Sequence, residues 1–331
     1  MSVMRKAISF VFCVGTIIIL VLTLISFSPF QSQTFDIFDH LRLHYFVCAG
    51  FAFFVFLWLR KTVWLTVTLL ILLSNGSILY SSFTNTSALK KPTAQTKLIK
   101  LLNYNAYYKN KSAKKFIDYV NQEKPDLIVL EEFVGMSKEV VQSLKSQYVY
   151  SGPYLTKSDD KNSKQPNYIF IFSKFPFQIK TFKHWNLSDR NPPIAHVELN
   201  IRDTKIDLIA VHMHWPYNAK FKAQGLNWLS NYVKPLKNPV LLVGDFNLTP
   251  WSDTLLRFSQ KNKMKKFGWF EGSWPSQTAN VDFPFPHFLI DHVFVRDSAE
   301  WKINKHRFEA GKSIGSDHLP MISEFSLETK K

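Results

Sequence analysis

The chain changes character near residue 83. Before it, three apolar stretches run almost unbroken: Ala7–Phe27, Leu43–Leu59 and Val63–Tyr80. Each approaches the roughly 20 residues that cross ~30 Å of hydrocarbon as a helix. The polar stretch Ser82–Thr96 has no periodicity and reads as a flexible tether. From Lys97 onward, short apolar runs alternate with amphipathic stretches. The pattern predicts strands at Leu98–Tyr104, Leu127–Leu130, Tyr168–Phe172, Ala195–Ile201, Lys205–Val211, Val240–Gly244, Ile290–Val295 and Met321–Phe325. It predicts helices at Ala113–Gln122, Lys138–Ser146, Ala219–Val233 and Asp253–Lys261. So many strands against so few helices suit two stacked sheets with helices outside better than a doubly wound sheet.

Composition sharpens this division. The 331 residues carry 41 Lys+Arg against 25 Asp+Glu, a formal net charge of +16. Residues 1–83 hold only Arg5, Lys6, Arg42, Arg60 and Lys61, with Asp36 and Asp39, which leaves 36 basic and 23 acidic side chains, net +13, beyond them. An evenly soluble chain is excluded, and so is a disordered one. Both cysteines, Cys13 and Cys48, lie in the apolar part. The polar part therefore has no disulfide, no thiolate nucleophile and no zinc-thiolate site.

The first apolar stretch follows Arg5 and Lys6, as a signal peptide would. It is long, however, lacks a small-x-small cleavage pattern, and two further stretches follow. The expectation is an anchor of three transmembrane helices over residues 1–83, a linker over 84–96 and a polar domain over 97–331. Positive-inside counting places the N-terminus and the Arg60–Lys61 turn in the cytoplasm. Three crossings then put everything after Ser81 outside, as an extracytoplasmic domain of a multi-pass membrane protein.

The chemically informative residues occupy predicted strand ends. Asn105 follows the first strand, and Glu131 and Glu132 end the second. His212 and His214 follow Lys205–Val211, and Asp245 and Asn247 follow Val240–Gly244. Asp291 and His292 lie in the Ile290–Val295 run, and Asp317 and His318 lie just before the last strand. One acid after an apolar strand is commonly a turn residue or helix cap. Six strand ends bearing carboxylates, amides or imidazoles are a different matter, because a rigid sheet can aim all of them into one crevice.

Asn105, Leu130-Glu131-Glu132, the run Gly244–Pro250 (Gly-Asp-Phe-Asn-Leu-Thr-Pro), Ile290–His292 and the run Gly315–Pro320 (Gly-Ser-Asp-His-Leu-Pro), in this order, resemble the endonuclease/exonuclease/phosphatase superfamily. That superfamily includes DNase I-like nucleases, abasic-site endonucleases, sphingomyelinases and inositol polyphosphate phosphatases. The resemblance covers about residues 97–327 and implies an α+β, four-layer sandwich of two sheets flanked by helices. With the anchor, the chain looks like a membrane-anchored, bacterial-type member. The resemblance implies a magnesium site, with manganese possible, in which Glu132 is the principal ligand and Asp317 and Asn105 lie close to it. Oxygen ligands without thiolates suit such a hard cation. The superfamily usually has Gln where this chain has Glu131, and that extra carboxylate would either tighten metal binding or point to solvent, the second being the expectation. His318 oriented by Asp291 would take the water's proton or contact the phosphate. Asp245 would hold or deprotonate the attacking water, and Asn247 would donate to water or phosphate. His212 would assist the leaving group or bind phosphate, with His214 as a rival for that place. His214 and His292 otherwise read as loop or packing residues.

A net +13 domain suits a polyanion or an anionic membrane surface. Basic residues gather at Lys109, Lys111, Lys114 and Lys115 and again at Lys261, Lys263, Lys265 and Lys266. Aromatic runs Phe267–Pro275 and Phe283–Phe288 follow, able to stack bases, dip into lipid or simply fill a core. The expected activity is phosphodiester hydrolysis by a membrane-tethered extracytoplasmic nuclease. The alternatives are a phospholipid (sphingomyelinase-like) or phosphomonoester hydrolase, and a catalytically silent binding module.

Overall fold

The computed structural model describes residues 3–27, 36–152, 169–183, 192–214, 219–278, 281–282 and 287–330. The apolar region forms α1 (Val3–Ser26), the one-turn α2 (Asp36–Asp39), α3 (Arg42–Leu59) and α4 (Thr62–Thr84). Of these, α1, α3 and α4 are long and apolar enough to cross a membrane. Their contacts use the few polar and small residues available. Asn75 of α4 donates to Thr23 Oγ1 of α1 at 3.1 Å. Arg42 pairs with Asp39 at 3.0 Å and donates to the Ser26 carbonyl at 2.6 Å, tying the start of α3 to the end of α1.

The remainder runs β1 (Ile99–Asn105), α5 (Ala113–Glu123), β2 (Leu127–Glu131), α6 (Ser137–Leu144), β3 (Tyr150–Gly152), β4 (Phe170–Ser173), β5 (Phe177–Lys183), β6 (Ile194–Ile201) and β7 (Thr204–His212). It continues through α7 (Ala219–Val233), β8 (Val240–Asp245), α8 (Asp253–Lys261), β9 (Lys265–Lys266), β10 (Gln277–Thr278), β11 (Val281–Asp282), β12 (Asp291–Arg296), β13 (Trp301–Ala310) and β14 (Met321–Thr329). One sheet has the order β13-β14-β1-β2-β4-β3 and the other β5-β6-β7-β8-β12-β9.

Strand alternation builds the four layers. Ile99, Leu101, Leu127 and Val129 of the first sheet meet Val197, Leu208, Leu241 and Val293 of the second in a core between the sheets. The intervening Leu102, Tyr104, Ile128 and Leu130 face outward onto Phe116 of α5 and Val140 of α6. Ile209, Val211 and Leu242 likewise face Leu229 of α7 and Phe258 of α8. Both sheet faces are thus covered, which is why the central strands read as nearly continuous apolar runs.

Each predicted strand and helix has a counterpart, shifted by a few residues at most; Tyr168, placed in a strand from sequence, lies outside the described residues. The strands absent from the sequence reading are edge or short ones. In β13, buried Ile303 and Phe308 stand among Lys302, Lys305, Arg307 and Glu309, with a register shift between Lys305 and Arg307. A half-exposed edge strand carrying a bulge shows little apolar periodicity.

The linker differs from expectation. Rather than a free tether, it lies along the two-sheet domain: the Ser87 amide donates to the Lys266 carbonyl at 2.8 Å, and the Lys90 amide to the Lys305 carbonyl at 2.8 Å. Unpaired backbone groups of β9 and β13 give an aperiodic strand something to pair with, a tertiary cause that local sequence does not record. Lys266 is also corrected. It is buried, its Nζ donates to the Ser82 carbonyl, and burial pushes its ammonium down to about 7. It belongs to the anchor contact, not to a surface patch for polyanions.

Candidate active site

Register assembles the site before any side chain is considered. Parallel pairing sets Asn105 beside Glu131 at the end of β1 and β2, and His212 beside Asp245 at the end of β7 and β8. Antiparallel pairing sets Asp291, the first residue of β12, opposite Asp245. The same end of both sheets therefore delivers all these groups. Gly244 makes room for this: at φ +141° it lets β8 pass so close to β7 that an added Cβ would lie 1.9 Å from the Val211 carbonyl oxygen.

Asp245 is central. Its carboxylate accepts from Asn105 Nδ2 at 3.0 Å and from the Asn247 amide at 2.8 Å. Its Oδ2 lies 3.6 Å from His212 Nε2 and 3.7 Å from His318 Nε2. His318 Nδ1 lies 2.7 Å from Asp291 Oδ2. Burial works against charge on this imidazole, but Asp291 and then Asp245 overcome it and hold His318 in its charged form well above the ordinary histidine range. Burial, then Asp291, raises Asp245 above the usual carboxylate range. A carboxylate acceptor and an imidazolium donor thus sit side by side.

Glu132 and Asn105 form the neighbouring corner. Asn105 Nδ2 approaches Glu132 Oε1 at 3.4 Å, and the Tyr108 amide donates to Glu132 Oε2 at 3.2 Å. Glu132 adopts φ +51°, a conformation a glutamate reaches only when its surroundings impose it. Asp317 precedes His318; its Oδ2 accepts from the Trp274 indole at 3.4 Å and its Oδ1 lies 3.3 Å from Ser316 Oγ. Asp245, Asp291 and His318 also offer ligand atoms within 4.8 Å of one another. The donor set, carboxylates and imidazole with a nearby amide, fits a hard divalent cation.

The structure separates residues that sequence left together. His212 faces Glu132 and Asp245, whereas His214, past the strand end, packs against Phe221 at 5.7 Å between ring centroids. His292 turns away: its Nε2 lies 2.7 Å from the Leu248 carbonyl, its ring packs on Phe246, and burial pushes it down to about 4. Asn247 has φ +51°, which asparagine tolerates better than most residues, and its side-chain amide donates to the Met213 carbonyl at 2.9 Å and to Asp245 Oδ2 at 3.3 Å. In this state it orients Asp245.

Glu131 overturns its expectation. It is fully buried, not solvent-facing, because both faces of β2 are covered by other layers. Burial, then the charges of Asp291 and Asp245, raises its carboxyl well above the ordinary range. Ser316 is the residue sequence reasoning passed over. Its hydroxyl donates to the Asn105 carbonyl at 2.7 Å and accepts from the His318 amide at 3.1 Å, locking the loop to β1. The signal was present, since Ser316 sits inside the Gly315–Pro320 motif.

The sequence profile of the Endonuclease/Exonuclease/phosphatase family matches residues 102–318. No curated protein matches the chain by sequence. Among solved structures, an endonuclease/exonuclease/phosphatase from Beutenbergia cavernae DSM 12333 is similar at 16% identity and a TM-score of 0.53, covering 70% of this chain and 72% of that one. A family protein from Bacteroides thetaiotaomicron is similar at 16% identity and a TM-score of 0.52, covering 70% and 98%. D. rerio TDP2 in complex with single-strand DNA product is similar at 13% identity and a TM-score of 0.53, covering 70% and 99%.

Proposed function

The chain belongs to the endonuclease/exonuclease/phosphatase family, and from that premise we propose that it is a metal-dependent phosphoesterase that cleaves phosphodiester bonds at a membrane surface. The observation that carries this is the array Asp291–His318–Asp245 beside Glu132 and Asn105. Asp291 fixes the His318 ring and keeps it charged, so that it meets the phosphate as a donor. Asp245 receives the proton of the attacking water or aligns that water, with Asn247 and Asn105 steering its carboxylate. His212, next to Asp245 and Glu132, stands where a leaving oxygen or a non-bridging oxygen needs a donor. Glu132, Asp317 and Asn105 would hold magnesium, or manganese in its place, which supplies charge neutralisation at the phosphate and a polarised water.

For the substrate, a lipid headgroup phosphate is supported by contacts at the rim. The Trp274 indole that reaches Asp317 sits on a segment paired with Phe288, and the Phe288 ring lies 5.7 Å from His44, in the first turn of α3. The aromatic run that could stack bases is largely spent on packing: Phe267 is core, and Trp269 packs on Phe83 of α4 and on Trp251. Only Phe270, 65% exposed, projects among the large hydrophobics there. Within the second aromatic run, residues 283–286 lie outside the described residues. The nuclease reading keeps two supports, the +13 charge and a protein of the same fold that holds DNA product.

Full-length protein in lipid nanodiscs, given magnesium and separately choline-phosphate lipids, plasmid DNA and RNA, tests these readings. Headgroup release that stops on chelation and returns with magnesium is the expected result. Salt-sensitive loss of DNA instead would make the protein a nuclease, and no metal-dependent turnover on any of them would leave a binding module. For location, positive-inside counting supports an extracytoplasmic domain. A C-terminal reporter active only in the cytoplasm should stay silent; a working one would reverse the orientation.

A further inference from the structure

The loop that follows Asp245 is buried and held from two sides. From within, His292 of β12 binds the Leu248 carbonyl. From without, its partners among the described residues come from the apolar N-terminal region. The Thr249 amide donates to His40 Nδ1 at 3.2 Å, and the Trp251 indole donates to the His40 carbonyl at 3.0 Å. Ser82 Oγ, near the end of α4, donates to the Pro250 carbonyl at 2.7 Å. The Asp253 amide, in the first turn of α8, meets Asp39 Oδ2 at 3.4 Å. Asp39 is itself fixed by Arg42, which also binds the end of α1.

These bonds are unusual in what they connect. Thr249, Pro250 and Trp251 are buried, so the polar groups that meet the outer partners have no water to fall back on if those partners leave. Two residues upstream, the Asn247 amide holds Asp245 Oδ1 at 2.8 Å. A shift of the loop at Thr249 is therefore passed to the carboxylate at the centre of the site, and displacements of about 1 Å cost catalysis up to about 100-fold. His40 is well suited to the task. Burial, and then the charge of Lys222, pushes it down to about 3, so at neutral pH the ring is uncharged, and the Thr249 amide at Nδ1 selects the tautomer whose lone pair lies there.

We propose that the segment Asp39–Leu41, between the first and second long apolar helices, is a working part of the catalytic site: His40 is a positioning residue that holds the Asp245–Trp251 loop in its reactive shape. The anchor then does more than tether. It sets the geometry of the catalytic carboxylate, so chemistry is fully competent only when the anchor helices are assembled. This rests on the phosphoesterase reading above, but the loop contact can be tested apart from it.

Full-length wild type, His40→Ala and His40→Asn are compared in detergent micelles with magnesium and bis(p-nitrophenyl) phosphate, a soluble diester that needs no membrane to be presented. His40→Ala should lower kcat about tenfold and leave KM within about twofold. His40→Asn should restore kcat, since its Oδ1 can accept from the Thr249 amide where Nδ1 did. Hydrogen–deuterium exchange of the 246–256 peptide should rise in His40→Ala and return to wild type in His40→Asn. Wild-type kcat in His40→Ala, unchanged exchange in that peptide, or equal damage in both variants would overturn the proposal. If wild type fails to cleave the diester at all, the phosphoesterase reading fails, and the exchange result alone decides whether His40 holds the loop.

Discussion

Asp245→Asn should lower kcat/KM by about 100-fold or more while leaving the fold intact. The carboxylate is the meeting point of Asn105 Nδ2, the Asn247 amide and two imidazoles, all within 3.7 Å. An amide has the same shape, so packing around this fully buried residue is preserved. Its nitrogen, however, would face donors or charged imidazole with hydrogens instead of lone pairs, and it cannot take a proton from water. Loss of a positioned base costs about 100- to 10,000-fold. Removing one buried negative charge relieves repulsion with Asp291 and forgoes attraction to His318 and His212, two effects that oppose each other in the folded state. The check pairs steady-state kinetics on full-length protein with circular dichroism melting. Low turnover with an unchanged melting point is the expected pair; near-normal turnover would remove Asp245 from the mechanism.

Much of this site was legible because it is written in strand ends. Once β7, β8 and β12 are placed by their apolar runs, register alone brings His212, Asp245 and Asp291 together. The layers were legible for the same reason, since alternation in Leu101–Leu102 or Ile128–Val129 points one residue inward between the sheets and the next outward to a helix. What escaped was set by tertiary contact. Glu131 looks like an exposed acid, and only the covering of both faces of β2 buries it. Lys266 looks like part of a basic surface until Ser82 of α4 is laid against it. His40 carries no motif at all; its meaning lies in a bond to Thr249, more than two hundred residues away in sequence.

The same contrast clarifies how charge is used. The net +13 beyond residue 83 suggests a basic face, yet the cluster at the site is acidic, with Glu131, Glu132, Asp245, Asp291 and Asp317 at neighbouring strand ends or loops. Two imidazoles face Asp245 directly, and burial disfavours charge on Glu131. An excess of acidic oxygens at one crevice, inside an otherwise basic domain, is the arrangement that a divalent cation and a phosphate together would complete.

His318→Ala should cause the second large loss, again about 100-fold or more in kcat/KM, and Asp291→Asn a smaller one with a distinctive pH signature. The His318 ring is held by Asp291 at 2.7 Å and turns its other nitrogen toward Asp245. Alanine removes the donor; asparagine at 291 keeps a hydrogen-bond partner but withdraws the charge that favours imidazolium. Asp291 raises the His318 pKa by stabilising its protonated form, so without that charge the proton leaves at lower pH. If the protonated ring is the working form, the alkaline limb of the kcat/KM profile moves to lower pH in Asp291→Asn, and activity is recovered best on the acid side. Profiles of wild type and Asp291→Asn, measured with the soluble diester and saturating magnesium, decide this. A limb that stays in place would show that His318 does not act as the imidazolium. A shift to higher pH would mean that the neutral ring does the work and that His318 is the base.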